Sequence, residues 1–527
     1  MGSALEELGI EDPNVRAYIE ALENRNKEWE TKYEWLLEQY RLVAFRRFGR
    51  SSEKGETTDA QAMLFEEAEA IAGALRSGAA STVEIKAHTR RSAGRKPLDE
   101  KLPRVEILHD IPEADKHCAC GHELTRIGEE VSERLQVIPE QMYVERHVRP
   151  RYACKFCEGS LDEDKPAVRI AEAPLQIIPH SIVTSGLLAF VLVNKYCDHL
   201  PFYRQEKRFE RIGVQISRQD MCNWTIQAAE RLAPLLKLIQ KCILQGPLVQ
   251  LDETPLQVMN EVGRANTTKS WMWLARGAPS EHPLVLYTYR TSRNRSYPRE
   301  LLASYGGYVQ TDGWQEYDRA FEELPGIIHV GCWAHVRRKF FEASKAGKRL
   351  GAAEEGLTYI QRLYHIENHL REQNLPPAEF LLSRREQSLP LLEEFRRWLE
   401  EKQLSILPQS LVGKAISYAL RQWKKLLRYL EDPILRPDNN DAENAIRPFV
   451  LGRRNWLFSG SPAGADASCA IYSLIQTAVL NKLDPYTYLH YLFDTIPRMK
   501  SEADYAALLP ENLTADLITT AVRSNLR

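Results

Sequence analysis

Residues 248–254 read Leu248-Val249-Gln250-Leu251-Asp252-Glu253-Thr254, an apolar run that ends on two acids. Four further runs rich in β-branched and aromatic residues follow: Trp271–Ala275, Leu284–Tyr289, Tyr308–Thr311 and Ile327–Gly331. Such runs, bounded by Gly, Pro and Asp, predict five strands. Ala334–Lys345 then reads as a helix, so the stretch predicts a mixed α/β sheet. Residues 351–430 are charged, helical in pattern and without a strand signal, as though a helical block were inserted. Beyond them, Asp438–Arg447 predicts a short helix stopped or kinked by Pro448, because proline lacks the amide that a helix interior needs. A last helical region runs from Gly464 to the end.

Upstream, Val15, Ile19, Leu22, Asn26, Trp29, Tyr33, Leu36, Tyr40 and Val43 alternate at spacings of four and three. That is a heptad seam, and it predicts a coiled coil over residues 1–50 and a homo-oligomer, at least a dimer. With Ile19 at position a, Asn26 also falls at a, where one polar residue fixes register. An amphipathic helix packed on its own domain is the plainer alternative. Residues 51–100 read as a linker ending in a basic arm: Lys86 to Lys96 carries Arg90, Arg91, Arg95 and Lys96 and no acid. Such an arm suits phosphates or a narrow minor groove, and equally a solvated linker. Residues 171–245 are helical, with Ser217 placed to cap a second helix. This fits a helix-turn-helix as well as a plain helical hairpin.

The chain has 527 residues, 43% hydrophobic and 27% charged, which suits three or four globular domains and excludes wholesale disorder. Its longest apolar run, Gly186–Val193, is far short of the roughly 20 residues that cross a bilayer. The start shows no secretory signal, and nine cysteines, four in two close pairs and the rest scattered, suit a reducing compartment, so a cytoplasmic protein is expected. The net charge of −2 conceals a division. The first 85 residues hold 17 acids against 10 bases, whereas residues 332–350 hold six Lys/Arg against one acid.

Cys118-Ala119-Cys120 and Cys154-Lys155-Phe156-Cys157 are two thiol pairs with 33 residues between them. Two such knuckles close a tetrahedral sulfur site, which suits a structural Zn²⁺ in a small β-rich module over 101–170. The one-residue spacer of the first pair departs from the usual two.

Three acids stand where they could converge: Asp252, Asp312 at the end of Tyr308-Val309-Gln310-Thr311, and Glu443 on the helix after the insertion. Mg²⁺ takes oxygen ligands, and two ions held by a few carboxylates can activate one oxygen and stabilise another at a phosphodiester. Taken singly, each has a structural reading. Asp252 could be a polar strand end, Asp312-Gly313 a hairpin turn, and Asn440 with Glu443 a capping box. Glu253 points to the opposite sheet face, so only one of the adjacent acids can serve. The setting favours the site: Asn440, Glu443, Asn444 and Arg447 share a helical face. His335, Arg337, Arg338 and Lys339, then Arg453, Arg454 and Trp456, supply candidate DNA contacts.

Together, Leu251-Asp252-Glu253-Thr254-Pro255, Thr311-Asp312-Gly313-Trp314, Cys332-Trp333-Ala334-His335-Val336-Arg337-Arg338-Lys339-Phe340 and Asp438-Asn439-Asn440-Asp441-Ala442-Glu443-Asn444-Ala445-Ile446-Arg447-Pro448 closely resemble the transposases of the IS-sixty-six type of bacterial insertion sequence. The cysteine pairs resemble that family's zinc-binding domain, including the short first spacer. Arg47–Lys54 resembles the end of its leucine-zipper-like segment, and His199-Leu200-Pro201-Phe202-Tyr203 the approach to its catalytic region.

The resemblance implies an RNase H-like DDE core over 246–465, interrupted by the insertion at about 351–430 and followed by a C-terminal helical region, 466–527. It implies Asp252, Asp312 and Glu443 as the metal-binding triad, favouring Asp252 over Glu253. Two Mg²⁺ (or Mn²⁺) ions, cleavage of double-stranded DNA at element ends and transfer to target DNA follow from it. Accessory proteins of the same element stay open. Two other readings stand beside this one: an RNase H-like nuclease or resolvase without strand transfer, and a non-catalytic zinc-containing DNA-binding protein.

Overall fold

The computed structural model describes residues 142–153, 168–277, 281–346 and 351–525, with scattered positions between 15 and 41. The chain divides into two compact units, one of residues 73–173 and one of the remainder. In the smaller unit, β1 (Arg151–Ala153) pairs antiparallel with β2 (Val168–Ile170), Tyr152 opposite Arg169.

The larger unit is built on a five-stranded mixed sheet: β3 (Leu248–Gln257), β4 (Lys269–Gly277), β5 (Leu284–Arg290), β6 (Gly307–Gln310) and β7 (Ile327–Val330), in spatial order β5-β4-β3-β6-β7. All five expected strands form. The first three are an antiparallel meander, and β6 and β7 add in parallel on the far side of β3. α4 (Ser296–Leu301) and α5 (Gln315–Glu322) make the crossovers that parallel pairing requires.

Period-two alternation sorts the side chains to two faces. Glu253 and Trp273 are register partners, and the Trp273 ring meets Tyr297 of α4 and Tyr317 of α5. One residue earlier, Asp252, Leu274 and Tyr287 lie in register on the other face. There the Tyr287 amide donates to Ser473 Oγ at 2.8 Å, on α11 (Pro462–Leu480). α3 (Arg218–Gln245) packs beside α11 on this face. Because α11 begins at Pro462, the expected boundary at 465–466 falls inside a helix, and α11 packs against β5 of the sheet.

α1 (Ser185–Tyr196) and α2 (Phe202–Arg211) precede α3. The expected cap is present: Ser217 and Asp220 form a reciprocal capping box, satisfying amides that a helix start leaves open. α3 buries Met221, Trp224, Leu232 and Ile239 along one face, so it is a core helix with one free side.

The predicted helix before the insertion is α6 (Trp333–Ala346). The insertion is α7 (Ala352–Glu372), α8 (Pro377–Ser405) and α9 (Leu411–Leu427). It is continuous with the core: Trp333 and Phe340 of α6 pack with Phe395, Trp398 and Trp423 of the block. After it, α10 runs from Asn440 to Trp456, which corrects the expected stop at Pro448. The carbonyl whose bond Pro448 forfeits belongs to Asn444, an exposed residue that water can reach. The Tyr287 hydroxyl donates to the neighbouring Ala445 carbonyl. α12 (Pro485–Thr495), α13 (Glu502–Ala506) and α14 (Ala515–Asn525) complete the unit.

The described positions between Val15 and Arg41 are helical, and Val15, Leu22, Trp29, Tyr33, Leu36 and Tyr40 of the proposed seam are exposed. No helix among the described residues is long and apolar enough to cross a membrane.

Candidate active site

The parallel pairing of β3 with β6 ends at Gln250 and Gln310, whose buried side chains hydrogen-bond at 3.0 Å. Asp252 and Asp312 each stand two residues beyond that pair, at the neighbouring carboxyl ends of the parallel register. Asp312 closes no hairpin. It leads into α5, and its Oδ1 accepts the Trp314 amide at 2.9 Å.

Glu443 comes from the first turn of α10, a helix start tied to the strand ends. Asn439 donates to the Leu251 carbonyl at 2.9 Å, and Gln310 donates to the Arg436 carbonyl at 2.9 Å. The Trp333 amide donates to the Pro437 carbonyl at 2.9 Å. Asn439 precedes α10 without a side-chain cap bond, so no capping box uses Glu443.

The three acids share one electrostatic neighbourhood. Burial pushes the Asp252 carboxyl well above its usual range, and the charges of Glu253, Glu443 and Asp312 push the same way. A cluster of this kind is relieved by cations. Arg338 of α6 donates to Glu443 Oε2 at 2.9 Å, and His335 Nδ1 lies 3.5 Å from Glu443 Oε1. Burial holds the His335 imidazole below its ordinary value, against the pull of Glu443. Cys332, His335 and Glu443 could place one ligand atom each within 4.8 Å of one another. Cys332, however, is buried, accepts the Asn439 amide at 3.3 Å, and has its thiol pushed well up by burial.

Glu253 is the acid that alternation set on the other face, and its carboxylate is committed. Arg293 Nε donates to it at 2.7 Å and the Tyr317 hydroxyl donates to its second oxygen. Arg293 also lies 3.9 Å from Asp312 Oδ2 and sits over the rings of Trp314, at 4.3 Å, and Trp271, at 5.1 Å. Sequence reading did not single out Arg293, and no local motif marks it.

The expected DNA contacts divide. Lys339 and Arg454 are exposed, and Arg447 is half-buried. Arg337 is only 5% exposed, which corrects its assignment as a DNA contact: a side chain enclosed on α6 cannot reach a phosphate. Arg453 is tied inward, donating to Thr254 Oγ1 at 3.1 Å and to the Pro255 carbonyl. Trp456 meets Phe449 edge-on at 5.3 Å, as part of the packing rather than a free platform. Cys118, Cys120, Cys154 and Cys157, and Arg90, Arg91, Arg95 and Lys96, lie outside the described residues.

Residues 115–158, which span all four paired cysteines, match the zinc-finger binding domain of transposase IS66, supporting zinc binding. Residues 35–107 match the segment described as Transposase C of IS166 homeodomain, and residues 473–510 the IS66 C-terminal element. The uncharacterized protein y4qI of Sinorhizobium fredii (strain NBRC 101917 / NGR234) is 33% identical over 456 residues, 82% of each chain. From the same strain, the uncharacterized protein y4jD is 31% identical over 448 residues, covering 82% of this chain and 85% of its own. Residues 180–467, which hold the sheet, the insertion and all three acids, match the Transposase IS66 family, and the chain belongs to that family.

Proposed function

We propose that this transposase acts on double-stranded DNA by metal-dependent cleavage at element ends followed by strand transfer, with Asp252, Asp312 and Glu443 as its catalytic acids. The observation that carries the reading is the placement of Asp252 and Asp312 two residues past the Gln250–Gln310 pair, with Glu443 delivered beside them by α10. The strand order β5-β4-β3-β6-β7, three antiparallel strands and then two parallel, supports an RNase H-like core.

The donor set fits divalent cations. Three carboxylates from separate elements offer hard oxygens, and the crowded charge at Asp252 is the kind that a cation relieves. Two Mg²⁺ or Mn²⁺ ions there would supply activation of the attacking oxygen and stabilisation of the leaving one. The chain's own groups set the geometry. Arg338 fixes the Glu443 carboxylate, and Arg293 with the Trp314 amide fixes Asp312. Burial disfavours the charged form of His335, which lies 3.5 Å from Glu443.

Single replacement of Asp252, Asp312 or Glu443 by Asn or Gln should abolish metal-dependent nicking of an end-containing duplex. Incubation with precleaved 3′-OH ends should give joined products; hydrolysis without joining would make the protein a nuclease instead. Retained nicking in any of the three variants would remove that residue from the triad.

A further inference from the structure

α2, remote in sequence from the acids, carries a cationic cleft. The cleft, of about 290 Å³, is lined by Leu200, Tyr203, Arg204, Lys207, Arg208 and Arg211, and no acid contributes to it. Of the two acids of α2, Glu206 accepts the Arg218 amide at 2.9 Å, whereas Glu210 pairs with Lys207 of the cleft at 2.9 Å, so the three arginines carry most of the cleft's positive charge. Arg208 is set in place, donating to Asn194 at 3.2 Å beside the Phe190 ring. Arg204, Lys207 and Arg211 are exposed. From Arg204 to Arg211 the stripe runs about 10 Å along the helix axis, at about 1.5 Å per residue. Duplex DNA rises about 3.4 Å per phosphate of one strand, so the stripe spans about three backbone phosphates.

Its position in the fold relates it to the acids. The turn between α1 and α2 abuts the end of α10. A side chain begun at Gly452 would meet His199 Nδ1 at 3.0 Å, and Leu200, on the cleft wall, is the next residue. Gly452 lies about 13 Å along α10 from Glu443, at about 1.5 Å per residue. The turn that carries Leu200 therefore meets α10 about 13 Å along its axis from Glu443.

We infer that the α2 cleft is a docking site for the phosphate backbone of duplex DNA, independent of base sequence, flanking the catalytic acids. The inference rests on the proposed action on DNA. Guanidinium groups pair with phosphate oxygens in a bidentate way, and Arg208, already ordered by Asn194, loses little freedom on binding.

The test uses the full chain carrying Arg204→Ala, Lys207→Ala and Arg211→Ala together, with binding followed by fluorescence anisotropy from about 50 to 200 mM salt. The probes are an end-containing duplex, a duplex of unrelated sequence, and inorganic phosphate as competitor. The log-affinity against log-salt slope should become shallower by about 2–3, at about 0.9 for each phosphate no longer neutralised, equally on both duplexes. The conservative double variant Arg204→Lys with Arg211→Lys should keep the slope. Nicking at saturating DNA should persist, since none of these residues touches the acids, and that persistence shows that the variant folds. An unchanged slope overturns the inference, as does a loss confined to the end-containing duplex, which marks a base-reading surface. Loss of phosphate competition with the duplex slope intact also overturns it, marking a small-anion site. A chain whose Asp252→Asn form still nicks would instead sink the proposed function, leaving the slope result standing.

Discussion

Arg338 of α6 and Glu443 of α10 meet at 2.9 Å, although 105 residues of chain, including the whole helical insertion, separate them. The contact is two-sided. Burial weakens the Arg338 charge, but the Glu443 carboxylate outweighs it and holds the guanidinium above its ordinary value. An acid that must ligate a cation gains orientation from such a partner on its other oxygen. Arg338→Ala should therefore lower the nicking rate by about 10²-fold, the usual scale for removing a positioned polar partner from a metal or oxyanion site. Arg338→Lys should recover part of it, and the metal concentration for half-maximal activity should rise in both. An Ala variant with unchanged metal dependence would reduce the pair to a surface contact.

Arg293 has the same relation to Asp312, through a different scaffold. It is clamped by Glu253 and by two tryptophan faces, so its reach to Asp312 is fixed by packing. Glu253→Gln should keep measurable nicking, because that carboxylate is engaged by Arg293 and Tyr317, whereas Asp252→Asn should not. Equal loss in both would show that the two neighbouring acids share the metal site. The measurement is metal-titrated nicking of one duplex by both variants.

Zinc is a separate expectation. The match over 115–158 spans the four cysteines, and a thiolate site of this kind contributes folding energy to its own small module. Purified, reduced protein should hold about one zinc per chain, by elemental analysis. Cys154→Ser should lose it while the larger unit, which holds residues 174–527, keeps its thermal transition. Retention of zinc by that variant would exclude Cys154 from the ligand set.

Stability should fall in acid in two windows. His329 on β7 is buried, with Nδ1 3.0 Å from Asp318 and Nε2 2.9 Å from Thr311 Oγ1. Burial holds its imidazole below the ordinary value, against Asp318. The unfolded chain therefore takes up that proton first, and stability declines as pH falls below about 6.5 until the folded His329 also protonates. The slope is at most about 1.4 kcal/mol per pH unit. For Asp318, burial pushes the carboxyl up, but His329 and Lys425 outweigh it and hold it at about 2. That contribution is present above the usual carboxylate value and is lost as pH falls towards 2. In denaturant titrations against pH, His329→Gln should flatten the upper window and leave the lower one partly in place. The same slope between pH 6.5 and 5 in variant and parent would contradict this.

Much of the sheet was legible because each strand carries its own alternation, and the two aspartates announce themselves as acids after apolar runs. Glu443 was legible as part of a polar helical face. α10 was misjudged in length because its bracing is not local: the Asn444 carbonyl that Pro448 leaves open faces water, and the neighbouring Ala445 carbonyl accepts the Tyr287 hydroxyl from a strand 158 residues away. Arg293 and Asn439 were not singled out for the same reason. Their partners lie 40 and 188 residues distant, so nothing local distinguishes them from any loop arginine or helix-start asparagine. Arg337 misled in the opposite sense: a basic tract on a helix reads as one patch, but the helix turns one of its three adjacent cations inward.

Gly313 shows how the insertion enters the site. As a sequence, Asp312-Gly313 suggested a hairpin whose glycine is needed for a left-handed turn, yet Gly313 is absent from the positive-φ positions among the described residues. What it supplies is room. A Cβ there would overlap the Tyr418 hydroxyl and lie 2.6 Å from its ring, and Tyr418 belongs to α9 of the insertion. The helical block thus closes over the residue next to a proposed catalytic acid, and the two cannot both stay in place if a methyl is added. Gly313→Ala should destabilise the larger unit by about 1–3 kcal/mol, the range for an overpacked core. It should also slow nicking by more than that loss of folded protein explains, because Asp312 shifts with the backbone that yields. Tyr418→Phe in the same chain removes the hydroxyl that clashes first and should restore part of both. If Gly313→Ala loses stability with unchanged nicking per folded molecule, the insertion is a packing element only and does not hold Asp312 in position.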